Sequence, residues 1–287
     1  MRRTFKKMYA LGFETLGVGR MLSLATSGRY AVLMFHRVVD KRTLKTSVNR
    51  PLMVEEGVFA GLVETLAERC LCVPLGVIRA YANVRTKPVV AVTFDDGYAD
   101  FCQAAFPILK RFNVPATMYL ATGHLDDPER VFPWDMRDAG RFPGHPPMLS
   151  WEEVRRLADS GFVDFGAHTV SHPFLDTITP ADAVREIKDS VRRIKEETGR
   201  DVTTFAYPAG HVPREYREIL GRAGISHAVT TRFGLNGISG DPLLIRRMDA
   251  RFGLLGEEFS PRTFMTLCRG GFDWLHRPGS RAAGGAP

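Results

Sequence analysis

Short runs of unbroken apolar residues, spaced by stretches of helical periodicity, limit what this chain can become. Ala31 to Phe35 (AVLMF) carries no polar position. A strand of that kind is buried on both faces, as in a parallel sheet covered by helices. Val89 to Phe94, Ala116 to Ala121, Phe162 to Gly166, Val202 to Tyr207 and Ser226 to Thr230 read the same way, and Leu243 to Met248 is a weaker seventh. Helices fall between them. Tyr98 to Arg111 follows the second strand. Ser150-Trp-Glu-Glu153 forms a capping box for a helix through Ala158 that stops at Gly161. Thr179-Pro180 opens a longer one with Gly199 beyond its end, and Pro213 to Ala223 is closed by Gly224.

Alternating strands and helices predict an α/β fold with a parallel sheet inside and helices outside. At about 150 residues per domain, 287 residues allow two domains, but some seven strands fit one closed or nearly closed barrel better. Residues 30–276 form that barrel in this reading. Residues 1–29 precede it as a basic, half-amphipathic segment, Asp126 to Leu149 is a long Pro- and Gly-rich loop, and 277–287 is a flexible tail.

Composition excludes several classes. With 44% hydrophobic and 25% charged residues the chain is neither disordered nor fibrous. No apolar run reaches the ~20 residues of a membrane-spanning helix. Cys70, Cys72, Cys102 and Cys268 make no CxxC pair and read as buried reduced thiols, which favours a reducing compartment. The net charge of +7 sits at the ends: residues 1–20 carry +4, residues 269–287 carry +2, and the remainder only +1. A near-neutral barrel argues against a nucleic-acid groove.

In barrels of this type the chemistry lies at the carboxyl ends of the strands. Three sets of residues stand there. Asp95-Asp96-Gly97 follows the second strand, and adjacent carboxylates repel unless a cation or shared proton relieves them. The plainer reading makes Asp96 the N-cap of the next helix. His168 and His172 follow the strand Phe162–Gly166 at the i,i+4 spacing that can grip one metal. His36 ends the first strand; a satisfied core histidine is its plainer reading. Two His and one Asp form a three-ligand set that leaves positions open for water. The other histidines, His124, His145, His211, His227 and His276, read as structural or surface residues.

Thr93-Phe94-Asp95-Asp96-Gly97 and His168-Thr-Val-Ser-His172, in this order, resemble the first two motifs of the metal-dependent polysaccharide deacetylases, carbohydrate esterase family 4. Phe205-Ala206-Tyr207-Pro208-Ala209-Gly210 is similar to a diverged third motif, and the likeness covers roughly residues 30 to 250. It implies a distorted (β/α)7 barrel that removes acetyl groups from N-acetylated sugars. Asp95 would be the general base, and Asp96, His168 and His172 the ligands of a divalent metal, with Zn2+ favoured by the donor set. Leu33-Met34-Phe35-His36 resembles the branch of permuted exopolysaccharide deacetylases, which gives His36 the general-acid role. Ala206 stands where many members have an arginine that steadies the base, and Arg247 could replace it. Ala209, in place of a tyrosine, still offers its backbone N–H to an oxyanion. Trp134, Tyr207 and Trp151 are candidate walls for a sugar ring, Trp151 reading more readily as core.

The expected substrate is an N-acetylated glycan or a polyprenyl-linked sugar. A metal-free carbohydrate-binding relative and a metal hydrolase of another bond (an ester or phosphodiester) are the rival readings. Without a legible export signal the expected place of action is the cytoplasm, the alternative being an uncleaved or atypical signal. Phe5, Met8, Tyr9, Gly12 and Leu16 share one side of a helix, which would pack on the domain or make peripheral contact with an anionic membrane through residues 1–20.

Overall fold

A computed structural model describes residues 8–13, 28–84, 86–127, 130–136, 148–255 and 258–273. Seven parallel strands lie edge to edge: β1 (Arg29–Phe35), β2 (Val89–Phe94), β3 (Ala116–Leu120), β4 (Val163–Ala167), β5 (Thr204–Ala206), β6 (His227–Val229) and β7 (Met248–Asp249). The sheet curls until its ends meet. Ile245 pairs with Val229 of β6, and Met248 and Asp249 pair with Leu33 and Met34 of β1. The continuous strand expected over Leu243–Met248 is therefore corrected. The segment changes neighbours midway: the Ile245 N–H donates to Ala228, whereas the Arg247 N–H donates to Arg232. A backbone crossing from one partner strand to another cannot keep one ladder.

The period of two explains the unbroken apolar runs. Ala31, Leu33 and Phe35 of β1, and Val90, Val92 and Phe94 of β2, point outward into the helix-covered core. Tyr30, Val32, Val89 and Ala91 point inward with Tyr119, Ala206, Val229 and Ile245. Leu75, Ile78 and Ala82, from the turns before β2, close one end of this inner cluster. Above the apolar layer the inward positions turn polar: Thr93 and Asp95 continue the Val89–Ala91 face, and His36 continues Tyr30–Val32.

The outer helices begin and end where the caps say. The Ser150–Glu153 capping box is formed, and its helix runs Trp151–Asp159. Thr179 caps Pro180–Thr198, and Gly199 leaves that helix at φ 67°. Two expectations need correction. The helix expected over Tyr98–Arg111 is a wide π turn at Phe101–Ala105 followed by Phe106–Arg111. Pro107 lacks an N–H and crowds the carbonyl four residues back, which accounts for the widened turn. The helix expected over Pro213–Ala223 is reduced to Tyr216–Arg222.

Residues 8–13 are helical and lie on the domain. Tyr9 packs on Phe13 and Phe272 and donates its hydroxyl to the Gly271 carbonyl; Ala10 and Phe13 are buried, while Met8 and Leu11 are exposed. The buried face thus includes Phe13 and excludes Met8, contrary to the helical-wheel expectation. Residues 1–7, 14–27, 137–147 and 274–287, including most of the expected terminal segments and part of the long loop, lie outside the described residues. All four cysteines are free thiols, with Cys70 and Cys268 buried and Cys72 and Cys102 half-buried. Among the described residues no helix is long and apolar enough to cross a membrane.

Gly166 marks how little room the interior leaves. A Cβ there would stand 2.4 Å from the Tyr119 ring and 2.5 Å from the Thr204 hydroxyl. Gly166→Ala is expected to destabilise the fold by ~1–3 kcal/mol in denaturant unfolding, the usual cost of overpacking a filled core. An unchanged midpoint would refute that packing.

Candidate active site

The polar layer at the carboxyl ends of the strands brings together residues from five of them. Asp95 follows β2, and its N–H donates to the Phe35 carbonyl at the end of β1, so the first two strands hold it jointly. Its carboxylate receives a two-pronged ion pair from Arg247: Nη1 to Oδ1 and Nη2 to Oδ2, both 2.6 Å. The same guanidinium donates through Nε to the Thr230 carbonyl and through Nη1 to the Thr93 hydroxyl at 3.3 Å. Burial alone would raise the Asp95 pKa, but the Arg247 charge and its hydrogen bonds outweigh it, and the carboxyl lies below its ordinary range. His36 Nε2 stands 3.9 Å from Oδ2, the oxygen that also accepts from Arg247 Nη2.

Asp96 faces away from that pair. Its φ of 75° is left-handed, a conformation seldom taken by a residue with a side chain, and it turns the second carboxylate toward β4. It caps no helix, which removes the plainer sequence reading. Gly97 follows at φ 92° with Leu120 and Leu125 packed where a side chain would begin. Asp96 Oδ1 lies 3.4 Å from His168 Nε2 and 3.6 Å from His172 Nε2.

The tautomer of His168 decides what that cluster can bind. Its Nδ1 lies 2.7 Å from the Ala206 carbonyl, which can only accept, so Nδ1 carries the proton. A neutral His168 then presents an Nε2 lone pair to a carboxylate oxygen, an arrangement that calls for a cation or a further proton between them. Donors ~2.1 Å from one tetrahedral ion lie about 3.4 Å apart, and the three donor atoms all fall within 4.8 Å of one another. The set fits a divalent metal. Burial works against protonating both rings; Asp96 outweighs it at His168, whereas at His172 burial and the neighbouring His168 push the pKa down to about 4.

The His168–His172 loop is held under strain. Thr169 and His172 have positive φ (68° and 57°). The Thr169 hydroxyl accepts the His172 N–H at 2.9 Å, and Glu186 accepts the Val170 and Ser171 amides, also at 2.9 Å. Ala209 is likewise left-handed, φ 49°, on the turn after β5. Its N–H is at the start of a single 3-10 turn, where no intrahelical acceptor exists.

Trp134 stands edge-on to His172 at 5.1 Å and stacks on Phe132 at 4.6 Å. Its indole N–H donates to the Tyr98 hydroxyl, which donates to Asp135; the Asn49 amide donates to both Asp135 and the Trp134 carbonyl. Asn49, Tyr98, Phe132 and Asp135 belong to this wall and escaped the sequence reading, because nothing in their local pattern marks them as neighbours. Tyr207 does not reach the site. It is fully buried, meets Phe205 edge-on, and donates its hydroxyl to the Leu243 carbonyl, so it cannot wall a sugar. Trp151 is also elsewhere, bonded to Asp126 beneath Arg193.

Comparison with known proteins places these features in a group. The family model described as polysaccharide deacetylase matches residues 82–228, just over half of the chain. The Bacillus subtilis (strain 168) protein YxkH, named for the same family, is 26% identical over 170 residues, 59% of this chain and 54% of its own. A poly-beta-1,6-N-acetyl-D-glucosamine N-deacetylase of Staphylococcus aureus (strain MSSA476) is 24% identical over 149 residues, 49% of this chain and 47% of its own. The chain thus spans about half the length of the curated relatives it matches. The Streptococcus pyogenes deacetylase PplD, solved in complex with acetate, shares the fold at TM-score 0.67 and 23% identity, over 84% of this chain and 98% of that one.

The Arg247–Asp95 pair allows a test that needs no substrate. Arg247→Met leaves a buried carboxylate unpaired and is expected to cost ~3–5 kcal/mol in denaturant unfolding. Adding Asp95→Asn should recover a large part of that loss. Equal stabilities for the single and double variants would show that the pair is not coupled.

Proposed function

This chain belongs to the polysaccharide deacetylase family, and on that premise we propose that it is a metal-dependent N-deacetylase. Its substrate in this reading is an N-acetylated sugar, in a polysaccharide or in a polyprenyl-linked glycan precursor. The observation that carries the reading is the division of the adjacent carboxylates: Asp95 is held ionised by Arg247, and Asp96 is turned toward two imidazoles.

Asp96, His168 and His172 would hold the metal, with Zn2+ favoured by two nitrogens and one oxygen. Such an ion, when bound, polarises a carbonyl and lowers the pKa of water. Asp95 accepts a proton from the attacking water, and Arg247 keeps it oriented and ionised until then. Water oxygen bonds to the acetyl carbon, and the Ala209 N–H donates to the oxyanion that develops there. His36, 3.9 Å from the Asp95 carboxylate, gives a proton to the nitrogen as the carbon–nitrogen bond breaks. Acetate and a free amino sugar result. Trp134 supplies an apolar wall beside His172 for the sugar ring.

We place the enzyme on the cytoplasmic side of a membrane, resting on it through the basic residues 1–20. Met8 and Leu11, 68% and 43% exposed, are apolar side chains on the described part of that segment. Peripheral contact of this kind adds charge attraction to a small buried apolar area.

Acetate release from β-1,6-linked N-acetylglucosamine oligomers tests the reaction. His36→Ala is expected to lower turnover by ~100-fold or more while zinc content stays near one per chain. His168→Ala should lose both. Zinc without acetate release would favour hydrolysis of another bond, and oligomer binding without zinc a binding protein. In vesicle flotation, replacing Met8 and Leu11 with Ser should reduce recovery with anionic vesicles; unchanged flotation would remove the membrane contact.

A further inference from the structure

We propose that Phe174 and His211 form a stacking platform for a second sugar ring of the glycan, the one next to the ring that carries the reacting acetyl group. The proposal rests on the deacetylase reading above and names where its polymer specificity would come from.

Two motif loops meet at this point. Phe174 lies two residues after His172, and His211 two residues after Ala209. Two residues of chain span at most ~7 Å, so the backbone of each residue starts beside the site. Their rings are stacked, 4.2 Å between centroids and 9° from parallel. The pair stays in solvent: Phe174 is 44% exposed, and the His211 side chain 39%. Most other phenylalanines of the described chain are buried in its core. An exposed pair returns little hydrophobic free energy for the rotamer freedom it gives up, unless something further covers it.

The surroundings hold the pair in place. Leu175, the next residue, is buried and anchors the loop, and the Thr177 N–H and hydroxyl both donate to the Phe174 carbonyl, at 2.9 and 2.7 Å. Asp176 takes His211 Nδ1 on both carboxylate oxygens, at 2.9 and 3.0 Å. A carboxylate accepts only, so the proton of a neutral His211 is on Nδ1 and Nε2 carries a lone pair. The result is a flat aromatic surface edged by one hydrogen-bond acceptor.

That combination matches a pyranose. One face of the sugar presents C–H groups to an aromatic plane, and its rim presents hydroxyl donors. Trp134 already walls the site at His172, so the platform extends aromatic surface from the reacting ring to its neighbour. A single acetylated sugar would not reach it, and an oligomer would.

Calorimetric titration of the zinc-loaded full chain with deacetylated β-1,6-linked glucosamine dimer and pentamer tests this without turnover. The pentamer should bind the wild type at least ~10-fold more tightly than the dimer, as about 1.4 kcal/mol of stacking would give. Phe174→Ala should remove most of that gain and Phe174→Trp should restore it, with unfolding midpoints confirming that both variants are folded. No length-dependent gain in the wild type, or the same gain in Phe174→Ala, would overturn the platform. Acetate release is read separately: a gain lost in Phe174→Ala by a wild type that releases no acetate supports the platform and overturns the deacetylase reading. Acetate release with an unaltered gain does the reverse.

Discussion

The buried ion pair between Arg247 and Asp95 is the interaction on which the rest of the barrel mouth depends. Both side chains are almost wholly out of solvent, above a layer of Val32, Ala91, Val229 and Ile245. Neither charge would be tolerated there alone. Together they constrain the backbone. Arg247 must come from a segment that leaves β6 and reaches β1, and Asp95 must end β2 beside the Phe35 carbonyl. The net contribution of such a pair to stability is small once desolvation is counted, but its geometry is demanding. It orients one carboxylate, and its neighbour is left to face the imidazoles.

Backbone strain is concentrated at the same rim. Among the described non-glycine residues with positive φ, Asp96, Thr169, His172 and Ala209 all lie on the loops of the site, and only Asn113 lies apart. Each such conformation costs on the order of 1–3 kcal/mol and persists only where surrounding bonds over-determine it. Here the Asp96 carbonyl accepts the Ala121 N–H, the Gly97 carbonyl accepts the Leu149 N–H, and Glu186 gathers two amides of the histidine loop. The left-handed residues turn the chain sharply after the strand ends, so that Asp96 and His172 face one another instead of continuing along their strands.

Much of this was legible in the residues. Their unbroken apolar character marked AVLMF and VVAVTF as strands buried on both faces, and the caps at Ser150, Thr179 and Gly199 placed two helices closely. Asp95, Asp96, His36, His168 and His172 could be singled out because they end strands, and strand ends of a parallel barrel share one rim. Arg247 was reached differently, as a substitute for the arginine that the third motif lacks at Ala206, since it precedes β7 rather than ending a strand. The wall behind Trp134 was not, because Asn49, Tyr98 and Asp135 are far apart in sequence and their hydrogen bonds leave no periodic trace. Tyr207 misled for a related reason. A tyrosine beside a motif looks like a ligand wall until its hydroxyl is seen to satisfy the Leu243 carbonyl inside the core. The broken seventh strand was hidden too, since a change of pairing partner is a tertiary event without a local signature.

That change of partner has a consequence for how the site comes into being. Asp95 is placed by the first third of the chain, but its counter-charge arrives only with the segment that shuts the ring. Until then an open sheet would have to keep that carboxylate hydrated or protonated. Ring closure and the pairing of this carboxylate are therefore one event, and the proposed base is oriented only when the sheet loses its free edges. In the deacetylase reading, a variant loosened at β7 should lose reactivity before it loses its outer helices, because the segment that clasps the barrel also carries the counter-charge of Asp95.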